Sequence, residues 1–409
     1  MSTLIVGGGA AGCMCAVLCA EGGEKTILLE KNGKTGKKIY ITGKGRCNLT
    51  SDCQPEEFLR NVVHGDKFLC TAIYSFTPED TKRFFENSGL ELVTERGNRV
   101  FPASGKSSDV IKTLNARLAS AGVLVETDAE VVAVGKNDDC VFTVSLADGR
   151  TLYADNLVIA TGGKSYPATG STGDGYAFAE SFGHSVVKPV PSLAALITVE
   201  SVAELKGLSL KNVELSAHSA SGKKIRSEFG EMLFTDKGVS GPVALTLSSW
   251  LNRESGATLS LDLKPALSEE KLEQRILRDF AERLNSDLKN VTRALLPERL
   301  NTYVLKRAGV AESKKANSVT KEERRRIVAA VKGLTFRCAG VAPFEEAVVT
   351  SGGVSLKELT PHCESRLVKN LYFIGEVIDA DALTGGFNLQ IAFSTAAVCA
   401  KSITSAAAK

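Results

Sequence analysis

Thr3-Leu4-Ile5-Val6-Gly7-Gly8-Gly9-Ala10-Ala11-Gly12 passes from an apolar run into a glycine turn, and a small-residue apolar stretch continues from Cys13 to Ala20. A second β-type run, Thr26-Ile27-Leu28-Leu29, ends in Glu30. Strand, glycine turn, helix, strand and acid, in that order, are the setting that a G-x-G-x-x-G pattern needs before it carries meaning. Gly7 allows the tight turn, Gly9 lets a pyrophosphate approach the backbone, and Gly12 lets helix and strand pack closely. The helix that begins there turns unpaired N–H groups and a positive dipole end toward the phosphates. Glu30, about twenty residues on, is placed to accept hydrogen bonds from both hydroxyls of a ribose. The expectation is a Rossmann-like α/β domain built around a dinucleotide.

A chain of 409 residues is too long for one simple core, so two or three domains are expected. With 50 basic and 47 acidic residues the net charge is +3, which gives no broad nucleic-acid footprint, and no nucleic-acid partner is expected. The ten cysteines, Cys140 among them, are scattered without a C-x-x-C pair. Reduced thiols in a cytoplasmic protein are expected, not a disulfide scaffold or a metal site. The first strand has no basic n-region before it, so no signal peptide is expected. No uninterrupted apolar stretch is long enough to cross a bilayer, and no membrane partner is expected.

After Glu30 the segment KNGKTGKKIYITGKGRCN, Lys31 to Asn48, interleaves glycines and lysines and reads as a loop wrapped around something anionic. From Pro55 to Leu92 the pattern is helical, with Pro78-Glu79-Asp80 as a helix start. Ser107 or Ser108 is expected to cap a helix carrying Val110, Ile111, Leu114 and Leu118 on one face. Strand-like runs follow at Val131 to Val134, Val141 to Leu146 and Thr151 to Tyr153, the last two joined at Asp148-Gly149. Asp155 to Ala160 is a buried strand ahead of Thr161-Gly162-Gly163, and Asn370 to Gly375 is another. Between them, Leu193 to Leu261 alternates as an antiparallel barrel or sandwich does, and Leu267 to Gly333 is helical and highly charged. The expected organisation is one α/β domain in two sequence halves, 1–191 and 348–409. A β-barrel domain is inserted at 192–266 and 334–347, with a helical subdomain at 267–333.

Several long motifs occur in a fixed order: the GGGAAG turn with Glu30, GKGRCN, LVIATGG followed by SYPATGSTGDGY, GEMLFTDKGVSGP, VTSGGV, and FIGEVIDADALTGGFNLQIAFSTA. Through them the whole chain resembles the HI0933-like family of bacterial FAD flavoproteins, which includes aminoacetone oxidases and a flavoprotein of bile-acid dehydroxylation. The resemblance implies a two-part FAD domain with an inserted β-barrel and a helical subdomain. It implies that Gly7, Gly9, Ala10, Ala11 and Gly12 hold the pyrophosphate and Glu30 the adenosine ribose. Lys31 would lie at the adenine side, and the backbone of Val131 would meet the adenine amino edge. Lys38 and Gly43 of the basic loop also fall among the cofactor-binding residues. Ala160, Thr161, Gly162 and Gly163 end a strand at the carboxyl edge of the sheet, where cofactors bind in such folds. Gly375, Glu376 and Asp379 would meet the ribityl chain and pyrophosphate. Gly386, Asn388, Leu389 and Gln390 open the last helix toward the flavin pyrimidine, which gains negative charge on reduction. Arg46, Cys47 and Asn48 resemble the family's flavin-facing segment. Ala382 and Ala397 stand where the family more often has glycine, a departure that touches loop geometry and not FAD binding.

The resemblance implies an FAD-dependent oxidoreductase that passes hydride through flavin N5 to or from a small organic substrate. Amine oxidation and reduction of an activated C=C bond both occur in the family. NAD(P)H is allowed as a transient donor, although only one dinucleotide unit is present and Gly170 to Gly175 lacks the strand that a second would need. Arg46 and Tyr166 are the candidate catalytic residues. Cys47 reads as a packing residue, and His64, His184, His218 and His362 all lie outside the cofactor motifs. Two alternatives stand beside this reading: a tRNA-modifying or RNA-associated flavoprotein, against which the interleaved acids speak, and a flavin-binding protein without turnover of its own. Oligomeric state is not legible in the sequence.

Overall fold

The computed structural model describes residues 2–139 and 141–407, so Cys140 lies outside the described residues. The chain forms two compact units, Met1–Pro191 with Pro343–Lys409, and Ser192–Ala342.

The first unit is built on a five-stranded sheet of β1 (Ser2–Val6), β2 (Lys25–Leu29), β3 (Leu124–Glu126), β4 (Asn156–Ile159) and β5 (Leu371–Phe373). Its order is β5-β4-β1-β2-β3, and every pair is parallel. These strands are apolar almost throughout because both faces are covered. Ile5, Leu28 and Val158 enter a core shared with helix α1 (Ala10–Glu21) and helix α3 (Phe387–Ala407). Leu4, Val6, Leu157, Ile159 and Phe373 enter the opposite core. That face is covered by the antiparallel strands Val131–Lys136, Phe142–Leu146 and Thr151–Ala154 and by helix α2 (Asp174–Ser181). From β1 the chain runs outward one way through β2 and β3 and the other way through β4 and β5. The strand order therefore reverses between β1 and β4, where open α/β sheets bind ligands at their carboxyl edge. α1 buries Ala11, Cys13, Cys15, Ala16 and Cys19, small side chains in the core that it shares with α3.

Two local expectations differ from what forms. The Lys31–Asn48 segment is not loop throughout: Lys37–Ile41 is a helical turn that buries Ile39. Gly36, at φ 71°, redirects the chain, and the glycine-free run KKIYI then closes a turn. Neither Ser107 nor Ser108 caps the helix Ser107–Ser120; Lys106 holds that position, and the Ser107 hydroxyl donates to the Tyr40 carbonyl at 2.7 Å. By contrast, Thr77 and Asp80 form a reciprocal cap at the start of Pro78–Asn87.

The second unit contains a closed barrel of six antiparallel strands. In spatial order these are Leu196–Thr198, Gly238–Ser240, Lys224–Phe234, Ser209–His218, Thr258–Asp262 and Leu334–Val341. Closure leaves no unpaired edge, which settles the barrel-or-sandwich alternative. The helices Glu269–Glu282, Glu298–Arg307 and Lys321–Lys332 bury Leu272, Ile276, Leu300 and Val331 in one core with Leu259 and Phe336 of the barrel. Among the described residues no group of His, Cys, Asp and Glu could hold a metal ion, and no helix is long and apolar enough to cross a membrane.

One histidine pins the connection between the strand Val349–Val354 and β5. His184 is buried edge-on against Phe373, with Nε2 2.7 Å from Ser365 Oγ and Nδ1 3.2 Å from Glu358 Oε2. Ser365 Oγ already accepts from the N–H groups of Leu367 and Val368, so its own proton goes to Nε2. The imidazole is therefore neutral, with Nδ1–H donated to Glu358, and burial holds its pKa below the ordinary value. Below about pH 6.5 the unfolded chain takes up a proton that the folded one resists, so stability falls as pH drops. His184→Ala is expected to cost about 2–3 kcal/mol in urea unfolding at pH 7 and to lose part of the acid-side decline.

Candidate functional site

The carboxyl ends of β1, β4 and β5 meet the first turn of α1, and glycines make the meeting possible. Gly7 has φ 110°, and a Cβ there would lie 2.5 Å from the Ala160 carbonyl oxygen. A Cβ on Gly12 would lie 1.9 Å from the Gly7 oxygen, and one on Gly375 would lie 2.8 Å from Ala11 Cβ. Gly9 is the N-cap of α1, and its Cβ position meets nothing within 4 Å. No side chain caps α1 and no acid stands in its first turn. The N–H groups of Ala10, Ala11 and Gly12 thus sit at a positive helix end beside open space.

Glu30 is buried, and its Oε2 accepts from the Gly8 N–H at 2.8 Å while Oε1 accepts from the Asn32 N–H at 2.8 Å. The Glu30 carbonyl accepts from Ala129 N–H and the Asn32 carbonyl from Asp128 N–H, which brings the strand start at Val131 beside Glu30. Lys31 Nζ reaches the first turn of α2, 2.5 Å from both Asp174 Oδ2 and Thr172 Oγ1.

Beyond β4, Gly162 has φ 74°, and a Cβ on Gly163 would lie 2.4 Å from Thr350 Oγ1. That hydroxyl oxygen accepts from the N–H groups of Lys164 and Ser165 at 2.8 and 3.0 Å. Glu376 is the hub of this region: Oε1 accepts from Thr350 N–H and Ser165 Oγ, both at 2.8 Å, and Oε2 pairs with Lys38 Nζ at 2.5 Å. Gly375 N–H donates to Thr395 Oγ1 of α3, and Asp379 N–H to the Val354 carbonyl.

The far end joins the GKGRCN loop to the start of α3. Gly43, Lys44, Gly45 and Cys47 all have left-handed backbones, which fold six residues into a tight loop. A Cβ on Gly386 would lie 2.5 Å from the Thr50 carbonyl, two residues past Asn48. The Gln390 amide is committed, accepting from Thr50 Oγ1 at 2.7 Å and donating to the Phe76 carbonyl at 3.1 Å. The Asn388 amide closes its own loop on the N–H and carbonyl of Ala382, and Leu389 is half-buried beside it. Arg46 pairs with Glu95 at 2.5 Å and lies 4.3 Å over the Phe101 ring. Burial pushes the Cys47 thiol up to about 12, so it is no thiolate at neutral pH. Tyr166 has a left-handed backbone, φ 52°, uncommon for a bulky residue, and lines a cavity of about 410 Å³ with Lys37, Ile41 and Glu345.

Three buried polar atoms in these motifs, Asn48 Oδ1, Thr161 Oγ1 and Tyr176 OH, have no hydrogen-bond partner among the described residues. An open glycine cradle at an uncapped helix N-terminus, with a buried acid bonded beside it, fits a long nucleotide cofactor such as FAD. Sequence reasoning did not single out Thr350, Ser165 or Tyr176 as functional residues. The only local signal was that Tyr176 ends SYPATGSTGDGY and Thr350 lies in VTSGGV. It also passed over His64, whose Nδ1 is 2.6 Å from the buried Asp381 Oδ1.

Substitutions at the cradle are expected to separate packing from openness. Gly12→Ala should lower thermal stability by about 2–3 kcal/mol because its methyl meets backbone. Gly9→Ala should stay within about 1 kcal/mol of the parent when both are measured as apoproteins. Mass spectrometry after treatment of the native protein with a maleimide should find Cys47 unlabelled, and Cys47 should label once the chain is unfolded.

The family described as HI0933-like protein Rossmann domain matches residues 1–402. The ribosomal RNA dihydrouridine synthase of Escherichia coli K12 is 31% identical over 410 residues, covering 98% of each chain. The 3-dehydro-bile acid delta(4,6)-reductase of Clostridium scindens is 28% identical over 402 residues, covering 96% of each. Among solved structures, the 3-ketosteroid delta1-dehydrogenase of Sterolibacterium denitrificans superposes with a TM-score of 0.53 at 13% identity over 99% of both chains, a likeness of fold. The chain belongs to the HI0933-like family of Rossmann-fold, FAD-dependent oxidoreductases.

Proposed function

We propose that FAD lies along the line from Glu30 past Gly9 and Gly375 to Asn48, and that the protein uses it to reduce a C=C bond conjugated to a carbonyl, with NAD(P)H as electron source. The uncapped N-terminus of α1 beside the open Gly9, with Glu30 bonded one residue away, carries the cofactor part of this reading. The N–H groups of Ala10, Ala11 and Gly12 hold the pyrophosphate, and Gly7 and Gly12 keep strand and helix close enough to aim them. Glu30 takes the ribose hydroxyls, the Val131 backbone takes the adenine edge, and Lys31 flanks that end. Ala160, Thr161, Gly162 and Gly163 run beside the cofactor's middle, and the two glycines let Ser171 and Thr350 pack against that segment. Gly375 and Asp379 serve the ribityl chain, and the Lys38–Glu376 pair fixes the segments on either side. Asn48 closes the GKGRCN loop two residues before Thr50, whose carbonyl meets Gly386, and serves the pyrimidine edge of the flavin. The start of α3 at Gly386 to Gln390 turns its helix end to the pyrimidine oxygens, through backbone N–H groups because the Asn388 and Gln390 amides are engaged. Gly43 shapes the GKGRCN loop, and Cys47 fills space beneath it.

Bound FAD supplies hydride transfer at N5. In the net reaction the C=C bond gains a hydride and a proton, and NAD(P)H becomes NAD(P)+. Arg46 steadies the charge that develops on the substrate carbonyl oxygen, and Tyr166 at the cavity wall gives the proton. The two relatives support this reaction class: dihydrouridine is uridine with its ring C=C saturated, and a delta(4,6)-reductase saturates double bonds in conjugation with a 3-oxo group.

A small oxo-conjugated molecule is the first substrate class. A uridine of ribosomal RNA is the second, favoured by the 31% identity to a protein named for that product. The small net charge is no ground for setting RNA aside, since recognition of one exposed base needs few phosphate contacts.

Anaerobic reduction separates these readings. NADPH or NADH should bleach the bound flavin, and a conjugated enone, but not an isolated alkene, should restore its colour. Bleaching by primary amines without a nicotinamide, with colour restored only by oxygen, would contradict the proposal. Recovery with ribosomal RNA and a gain of dihydrouridine would assign the second substrate class. Tyr166→Phe should slow recovery about 100-fold while leaving bleaching unchanged. Gly9→Ala should purify with little flavin, although its apoprotein is as stable as the parent apoprotein.

A further inference from the structure

The cavity beside Tyr166, about 410 Å³, falls in the range of about 300–1,000 Å³ that takes small molecules of more than one ring. Ile41, Pro167 and Ala168 give it apolar walls. Ile41 ends the helical turn Lys37–Ile41 and is 39% exposed, whereas Ile39 on the inner side of that turn is buried. An exposed isoleucine standing alone would need no explanation, but this one shares a cavity with a proline and an alanine. The opposite end of the lining is stiff. The Tyr166 N–H donates to the Phe344 carbonyl at 3.0 Å, and the Tyr166 carbonyl accepts from the Thr169 N–H and hydroxyl at 2.9 and 2.7 Å. These bonds hold Tyr166 at φ 52°, which a bulky residue keeps only where its surroundings impose it. A preformed apolar cavity of this kind gains most from a ligand whose apolar surface replaces its water.

Two charged side chains line the same cavity, and they differ in what they already hold. Lys37 Nζ donates to Asn32 Oδ1 at 2.7 Å, and the Asn32 amide donates in turn to Glu30 Oε1. The Lys37 cation is thus engaged. Glu345 is exposed and has no cation partner among the described residues. An anionic group that enters meets this carboxylate uncompensated, while a neutral or cationic one does not. A nucleotide fits poorly, because its phosphates would face Glu345 and the polar edges of its base would find no partner on Ile41, Pro167 and Ala168. We infer that this cavity holds the body of the enone substrate, an apolar skeleton of two or more rings without carboxylate or phosphate, and that Glu345 enforces the exclusion of anions. The assignment rests on the reaction class proposed above, chooses between its two substrate classes and narrows the first.

The test is calorimetric titration of the oxidised holoenzyme with saturated ketones, in which no bond reacts: cyclohexanone, the two-ring decalone, and decalone bearing a carboxylate or its methyl ester on the far ring. Decalone and the ester should bind about 10-fold tighter than cyclohexanone. The carboxylate should bind about 3- to 10-fold weaker than the ester, and Glu345→Gln should remove that difference. Ile41→Trp, a change at an exposed position, should weaken decalone about 10-fold and cyclohexanone much less. The two-ring enone that matches decalone should restore the colour of dithionite-reduced holoenzyme at a lower concentration than cyclohexenone, and Ile41→Trp should narrow the gap. Three results would each overturn the assignment while the reaction class stands: cyclohexanone binding as tightly as decalone, a carboxylate penalty that is absent or survives Glu345→Gln, or displacement of decalone by a uridine oligonucleotide. Reduced parent holoenzyme whose colour no enone restores would overturn the reaction class, and this assignment with it.

Discussion

The closest constraint in the molecule is backbone against backbone. The first turn of α1 rests on the end of β1 so tightly that a β-carbon at position 12 would lie 1.9 Å from the Gly7 oxygen. Neither side of that contact has a side chain to move aside. It fixes where α1 points, and α1 in turn supports α3, with which it shares a core rich in alanine and cysteine. β5 then ends against the same turn, with Gly375 over Ala11. One packing requirement therefore places three strand ends and a helix N-terminus around a single point.

Charge around that point is arranged with little left uncompensated. Glu30 spends both carboxylate oxygens on N–H groups of Gly8 and Asn32, and Glu376 spends both on Lys38, Ser165 and Thr350. Arg46 is balanced by Glu95 and Lys31 by Asp174. What the cradle offers an anion is mainly the end of α1, a fixed array of dipoles that needs no counter-ion rearrangement when the ligand arrives. Such a site suits a cofactor that stays bound.

The first thirty residues were legible because each signal there is local: two apolar runs, glycines at fixed offsets, and an acid at the end of the second run. The barrel was legible as an alternation of short runs but not as a closed one, since closure depends on Leu334–Val341 pairing with Leu196–Thr198 across more than a hundred residues. The helical turn at Lys37–Ile41 and the uncapped start at Ser107 went unread because both depend on the contact between them. The polar network was hidden for the same reason: Lys38 and Glu376 are 338 positions apart. Asn388 and Gln390 show a related limit. Their place at the opening of α3 could be read, but only the fold shows that Ala382 and Thr50 already occupy their amides.

All of the chemistry requires one chromophore. Acid release of the cofactor from freshly purified protein, followed by chromatography and mass measurement, tests this most directly. The account predicts FAD, in an amount matching the protein. Release of FMN, or a colourless protein that neither yields a flavin nor takes one up from solution, would contradict it.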